Sequence, residues 1–193
     1  MKETKNILLV GVGGQGIILV SNILAAGLIK VGYDVKMSEI HGMSQRGGSV
    51  TTQVRFGEKV YSPIIGQGQA DVLVAFEKME AARWVEYLKP AGKIVVNNYE
   101  IPSITIASGQ AQYPQGVIDA LEKVFNTTAI DASQVAQEVG NIRTQNIVLL
   151  GALVKALQFN EMNEEDWIEI LQENLPAKMV DINIKAFQQG YKL

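Results

Sequence analysis

Cysteine is absent from the 193 residues, and histidine occurs once. Without a thiol the chain forms no disulfide, offers no thiolate nucleophile and cannot ligate an iron–sulfur cluster through cysteine. One imidazole excludes a multi-histidine metal site, although an all-carboxylate magnesium site stays open; no metal site is expected. Charge is also sparse, at 19% Asp, Glu, Lys and Arg with a net charge of -3 and no polybasic run. Nucleic-acid affinity rests on clustered Lys and Arg that neutralise phosphates, so no nucleic-acid partner is expected. No apolar run approaches the ~20 residues that span a bilayer, and the charged opening Met1–Lys5 lacks the layout of a secretory leader. The reading is a cytoplasmic protein with no membrane partner.

What the chain does have is a large apolar fraction, 47%, enough for a sizeable core and too much for disorder. The length suits one domain covering 1–193. Ile7–Val10 is a continuous apolar run, as in a strand buried on both faces of a parallel sheet. Ile17, Ile18, Val20, Ile23, Leu24, Leu28 and Ile29 then recur at helical spacing, and residues 35–40 form the next strand. Val50, Thr52, Val54 and Phe56 alternate with polar neighbours, predicting a half-exposed strand that turns at Gly57-Glu58-Lys59 into a hairpin partner at 60–62. Strands follow at 71–76 and 94–97, with a helix at 77–88 between them and a turn at 89–93. Short strands are expected at 104–106 and 128–130, with a helix near 116–125, and four helical segments fill the rest. The fold class is therefore α/β: a three-layer Rossmann-like fold whose mainly parallel sheet carries an inserted β-hairpin and a helical C-terminal region.

Two loops carry the chemistry. Gly11-Val12-Gly13-Gly14-Gln15-Gly16 fits G-x-G-x-x-G between a first strand and a first helix. Glycines there permit a tight turn, let backbone approach a ligand, and let helix pack on strand. The helix start adds unbonded N–H groups and a positive dipole end for an anion. Glu39, 23 residues after Gly16, stands roughly where an acid would hold a ribose in the dinucleotide fingerprint. A dinucleotide site, another phosphate or carboxylate site, and a purely structural turn all remain open.

The second loop, His41-Gly42-Met43-Ser44-Gln45-Arg46-Gly47-Gly48, gathers the only histidine, an arginine and two hydrogen-bonding side chains after the second strand. Carboxyl ends of parallel strands are where α/β folds bind ligands. Arg46 suits a carboxylate or phosphate held by two parallel hydrogen bonds, and His41 an acid, base or donor near neutrality. A structural histidine, or a loop that docks a neighbouring subunit, fits the same residues.

Taken together, Gly11–Ile17, Glu39–Val50, Asp71–Glu77, Asn146–Ala152 and Asn183–Tyr191 resemble the gamma-type subunits of pyruvate and other 2-oxoacid:ferredoxin oxidoreductases, the indolepyruvate branch in particular. The resemblance covers essentially the whole chain, and the His41–Gly48 element is its most specific part. It implies a subunit of an enzyme that oxidatively decarboxylates a 2-oxoacid to an acyl-CoA and passes electrons to ferredoxin. Thiamine diphosphate with magnesium and Fe–S clusters would sit on a larger partner subunit, none of them on this chain, which also lacks the Gly-Asp-Gly opening of a thiamine–magnesium motif. Coenzyme A would be a co-substrate met at the interface. No residue here is expected to act covalently and no activity is expected of the chain alone. His41 and Arg46 are the candidate contributors to catalysis. Gly11, Gly13, Gly14, Gln15, Gly16, Ser44, Gln45 and Arg46 form the candidate ligand- or interface-binding face. A stand-alone NAD(P)-binding protein and a non-catalytic scaffold are the alternatives.

Overall fold

The computed structural model describes residues 3–41, 47–159 and 161–193. The elements run β1 (Lys5–Val12), α1 (Ile17–Lys30), β2 (Asp34–His41), β3 (Ser49–Gly57), β4 (Ala70–Ala75), α2 (Lys78–Trp84), β5 (Leu88–Asn97), α3 (Ile104–Ala107), α4 (Val117–Glu122), β6 (Asn126–Ile130), α5 (Ala132–Val139), α6 (Gln145–Leu157), α7 (Glu164–Asn174) and α8 (Ala177–Lys192). Among the described residues the six strands form one sheet in the order β2-β3-β1-β4-β5-β6.

Side-chain alternation divides the core. Ile7 and Leu9 of β1 point to a face covered by α1 and α5 to α8, where Leu24, Leu28, Leu149, Leu153, Trp167 and Phe187 are buried. Leu8 and Val10 point to the other face, covered by α2 and α4 and closed by Ile65, Ala81 and Leu121. The result is the expected three-layer arrangement, with β1, β4, β5 and β6 mutually parallel.

The inserted antiparallel strand sits elsewhere than expected. Residues 60–62 form no strand; β3 pairs with β2 on one side and β1 on the other, antiparallel to both. Nor is β3 half-exposed. Its Val50, Thr52, Val54 and Phe56 face is buried, and so are Thr51 and Gln53 opposite. The segment after β3 folds back over that polar face: Ile65 N donates to Gln53 Oε1 at 2.6 Å, and Arg55 donates to the carbonyls of Ser62 and Ile64. Gln53 and Arg55 are thus buried or half-buried with bonded partners, as buried polar groups usually are. Thr52 Oγ1 on the other face, by contrast, is buried without a hydrogen-bond partner among the described residues.

Two smaller expectations also change. Residues 104–106 belong to a single helical turn, α3, rather than a strand. Residues 89–93 lie within β5 as an irregularity, because Ala70 pairs with Leu88 while Val72 already pairs with Lys93. The apolar stripe Leu149, Leu150, Leu153 and Val154 of α6 is covered intramolecularly. Gly151 and Gly190 bring α6 and α8 together: a Cβ on Gly151 would lie 2.2 Å from the Phe187 oxygen, and one on Gly190 1.9 Å from the Val148 oxygen.

Candidate functional site

The carboxyl ends of β1 and β4 flank the point where successive strands depart in opposite directions, the usual place for a ligand in an open α/β sheet. Here that crevice is occupied by the chain itself. Gln15 is buried at 9% exposure. Its Oε1 accepts from Val12 N at 2.7 Å, and its Nε2 donates to the Phe76 oxygen at 2.7 Å. The amide thus stitches the end of β1 to the end of β4. Gly11 makes room for it, since a Cβ there would lie 2.6 Å from Gln15 Oε1 and 2.9 Å from Phe76 Cβ. Of the candidate binding residues, Gln15 and Gly11 serve the shape of the loop.

The loop's open side faces β2 and β3. A cavity of about 460 Å³ is lined by Val12–Ile18, His41 and Val50. Gly14, at φ +103°, and Gly16, at φ +77°, adopt backbone that favours glycine, and Gly16 starts α1 in that left-handed pose. No side chain caps α1, and its first turn holds no acidic residue. The amides of Ile17 and Ile18 consequently border the cavity at the positive end of a 14-residue helix. Apolar Val12, Ile17, Ile18 and Val50 supply the walls, so the lining suits a molecule with both an anionic and an apolar part.

His41 ends β2, is exposed, and lines this cavity. Ser44, Gln45 and Arg46 lie outside the described residues, but both ends of their loop are placed. Gly13 N donates to the Gly48 oxygen at 2.9 Å, joining the loop's exit to the glycine loop. Ser49 Oγ donates to Glu80 Oε2 at 2.5 Å, and Glu80, 3% exposed, also pairs with Arg83. The described ends of the second loop, His41 and Gly48, therefore lie beside the glycine loop, with His41 at the cavity.

Glu39 does not join them. It pairs with Thr52 of β3, which pairs in turn with Leu9 of β1. With strands ~4.8 Å apart, β3 holds Glu39 roughly 10 Å from β1, where a dinucleotide fold has the acid on the adjoining strand. The ribose partner of a dinucleotide is thereby lost.

Two further groups had no signal in the glycine pattern. Asn146, from α6, donates from Nδ2 to the Gly16 oxygen at 3.4 Å. Glu77, directly after β4, is fully buried and accepts from Glu80 N, from Ile101 N and from the Tyr113 hydroxyl. Burial and the Glu77 carboxylate push the Tyr113 phenol pKa upward, keeping it a donor. Among the described residues no group of three or more His, Asp or Glu is placed to hold a metal ion, and no helix is long and apolar enough to cross a membrane.

Comparison with known proteins gives the family and the fold. The model of the pyruvate ferredoxin/flavodoxin oxidoreductase family matches residues 6–193. Indolepyruvate oxidoreductase subunit IorB of Thermococcus kodakarensis is 42% identical over 198 residues, covering 100% of this chain and 96% of that protein. The subunit of the same name from Pyrococcus horikoshii is 43% identical over 196 residues, with the same coverage. The pyruvate/ketoisovalerate oxidoreductases common subunit gamma of T. kodakarensis is 26% identical over 184 residues, covering 94% and 92%. Among solved structures, the gamma subunit of a keto/oxoacid ferredoxin oxidoreductase from Geobacter sulfurreducens superposes with a TM-score of 0.72 at 26% identity, covering 97% of this chain and 96% of that one.

Proposed function

Because this chain belongs to the pyruvate ferredoxin/flavodoxin oxidoreductase family, we propose that it is the gamma-type, thiamine-free subunit of a cytoplasmic 2-oxoacid:ferredoxin oxidoreductase, folded as one domain over 1–193, and that the oxoacid is an arylpyruvate such as indolepyruvate. Full-length identity of 42–43% to indolepyruvate oxidoreductase subunits, against 26% to a pyruvate/ketoisovalerate gamma subunit, carries the choice of branch.

Thiamine diphosphate supplies carbanion stabilisation in this chemistry and Fe–S clusters carry the electrons. The residues here do not fit those groups: the sequence has no cysteine and no Gly-Asp-Gly. Both belong on a larger partner chain, with ferredoxin reached through the complex. This chain contributes the cavity bordered by the glycine loop, His41 and Val50. Its α1 amides and apolar walls suit coenzyme A, an anion with a long neutral arm, as the co-substrate at the interface. His41, which lines that cavity, is proposed to hold an anionic group or the partner, and the same role is proposed for Arg46, Ser44 and Gln45, which lie outside the described residues. Ile18, which lines the cavity, and Ile40, next to His41 at the end of β2, are exposed large apolar residues and favour coverage of this side by a partner.

The test is co-expression with a thiamine-binding Fe–S chain encoded beside it in the native source. A stable complex that reduces ferredoxin with indolepyruvate and coenzyme A, and only when both chains are present, is the expected result. Equal turnover by the partner alone would refute the assignment, and preference for pyruvate or 2-oxoglutarate would refute the branch.

A further inference from the structure

Glu77 is an acceptor set among donors. Its Oε2 accepts from Glu80 N at 2.9 Å, capping α2, and its Oε1 accepts from Ile101 N at 3.2 Å and from the Tyr113 hydroxyl. A carboxylate suits this nest because it only accepts; a glutamine would turn an NH2 group against N–H and O–H donors. Through these bonds the start of α2 holds the connection between β5 and α4. That hold is reinforced where Lys78 N donates to the Tyr99 oxygen at 3.1 Å and Lys78 Nζ meets Glu100 at 2.6 Å.

The same residue stands one peptide unit from the glycine loop. The Phe76 oxygen, which belongs to the plane linking Phe76 to Glu77, accepts from Gln15 Nε2 at 2.7 Å and from Asn97 Nδ2 at 3.3 Å. The bonds of the Glu77 side chain therefore act beside the peptide plane that anchors Gln15. Gln15 in turn fixes Val12 N at the floor of the cavity.

We propose that Glu77 is a positioning residue that couples the 98–113 connection to the glycine loop, by way of the Phe76 carbonyl and Gln15. Anchoring of the connection and the pose of the cavity floor are then one equilibrium, so a partner that grips 98–113 also tightens the loop. The coupling needs only bonds within this chain, and stands whether or not the oxidoreductase assignment does.

Hydrogen–deuterium exchange on the full-length chain tests it with Y113F, which removes one hydroxyl, and E77Q. The proposal expects amide exchange to accelerate about tenfold both at 98–113 and at 12–18, while α8 keeps its wild-type protection. In a Q15A background the effect of Y113F on 12–18 should vanish, while its effect on 98–113 persists. Acceleration confined to 98–113, acceleration spread equally to α8, or an effect on 12–18 that survives Q15A would each overturn it. Should E77Q fail to fold, the Y113F and Q15A pair decides alone.

Discussion

A polar side chain in a glycine loop reads as a ligand contact, yet Gln15 bonds to a carbonyl 61 positions away. Nothing local to Gly11–Gly16 announces that partner, which is why Gln15 was legible as important and illegible in role. Replacing it by alanine leaves Val12 N buried without that acceptor, at about 1–3 kcal/mol, and leaves the Phe76 oxygen with the longer bond from Asn97 Nδ2 at 3.3 Å. Q15A should therefore lower unfolding stability by about 1–3 kcal/mol in urea titration; a change below roughly 0.5 kcal/mol, the scale of ordinary surface substitutions, would contradict the brace. Asp34 gives a pH prediction at the same scale. Hydrogen bonding from Lys36, then from Val60 N, with Lys59 nearby, lowers its carboxyl from 3.8 to about 2. A folded-state pKa depressed in this way contributes stability that is complete above the unfolded value and lost as pH falls from about 4 to about 2. D34N should remove that part of the acid limb, measured by thermal unfolding between those pH values, and leave the pH dependence near neutrality unchanged.

At the level of elements, apolar periodicity marked β1, α1, β4 and the C-terminal helices, because each buries a face that composition alone reveals. It failed where burial is polar. The Thr51, Gln53 and Arg55 side of β3 looks solvent-facing in sequence, and is covered by an irregular segment that hydrogen-bonds to that strand and buries Ile65. The antiparallel strand was foreseen but its partners were not, since pairing with β1 and β2 is set by non-local contacts. That insertion also separates Glu39 from β1, which leads into the glycine loop. The α6–α8 contact offers a direct check on packing. In G190A the new methyl would meet the Val148 carbonyl at 1.9 Å, and backbone on both helices leaves little room to relax. Overpacking of this kind costs typically 1–3 kcal/mol, so G190A should lower the thermal midpoint by several degrees in calorimetry. An unchanged midpoint would mean that the helices separate freely.

For the whole molecule, the fold brings the glycine loop and His41 to one cavity, in a sequence that has no cysteine. The candidate face was half legible: His41 and the glycines are where the motif implied, while Ser44, Gln45 and Arg46 lie outside the described residues. Their role is open to substitution in the assembled enzyme. R46A should raise the KM for coenzyme A by about tenfold, the loss of one charge-assisted anion contact, with the complex still eluting intact. Dissociation with an unchanged KM would place Arg46 at the partner instead. The central claim, that this chain is an obligatory subunit, is tested most directly by reconstituting the purified chain with the proposed thiamine- and Fe–S-containing partner and measuring ferredoxin reduction by indolepyruvate and coenzyme A. The account predicts activity that titrates with this chain up to a fixed stoichiometry and is absent without it. Full activity of the partner alone, or no association between the two, would contradict it.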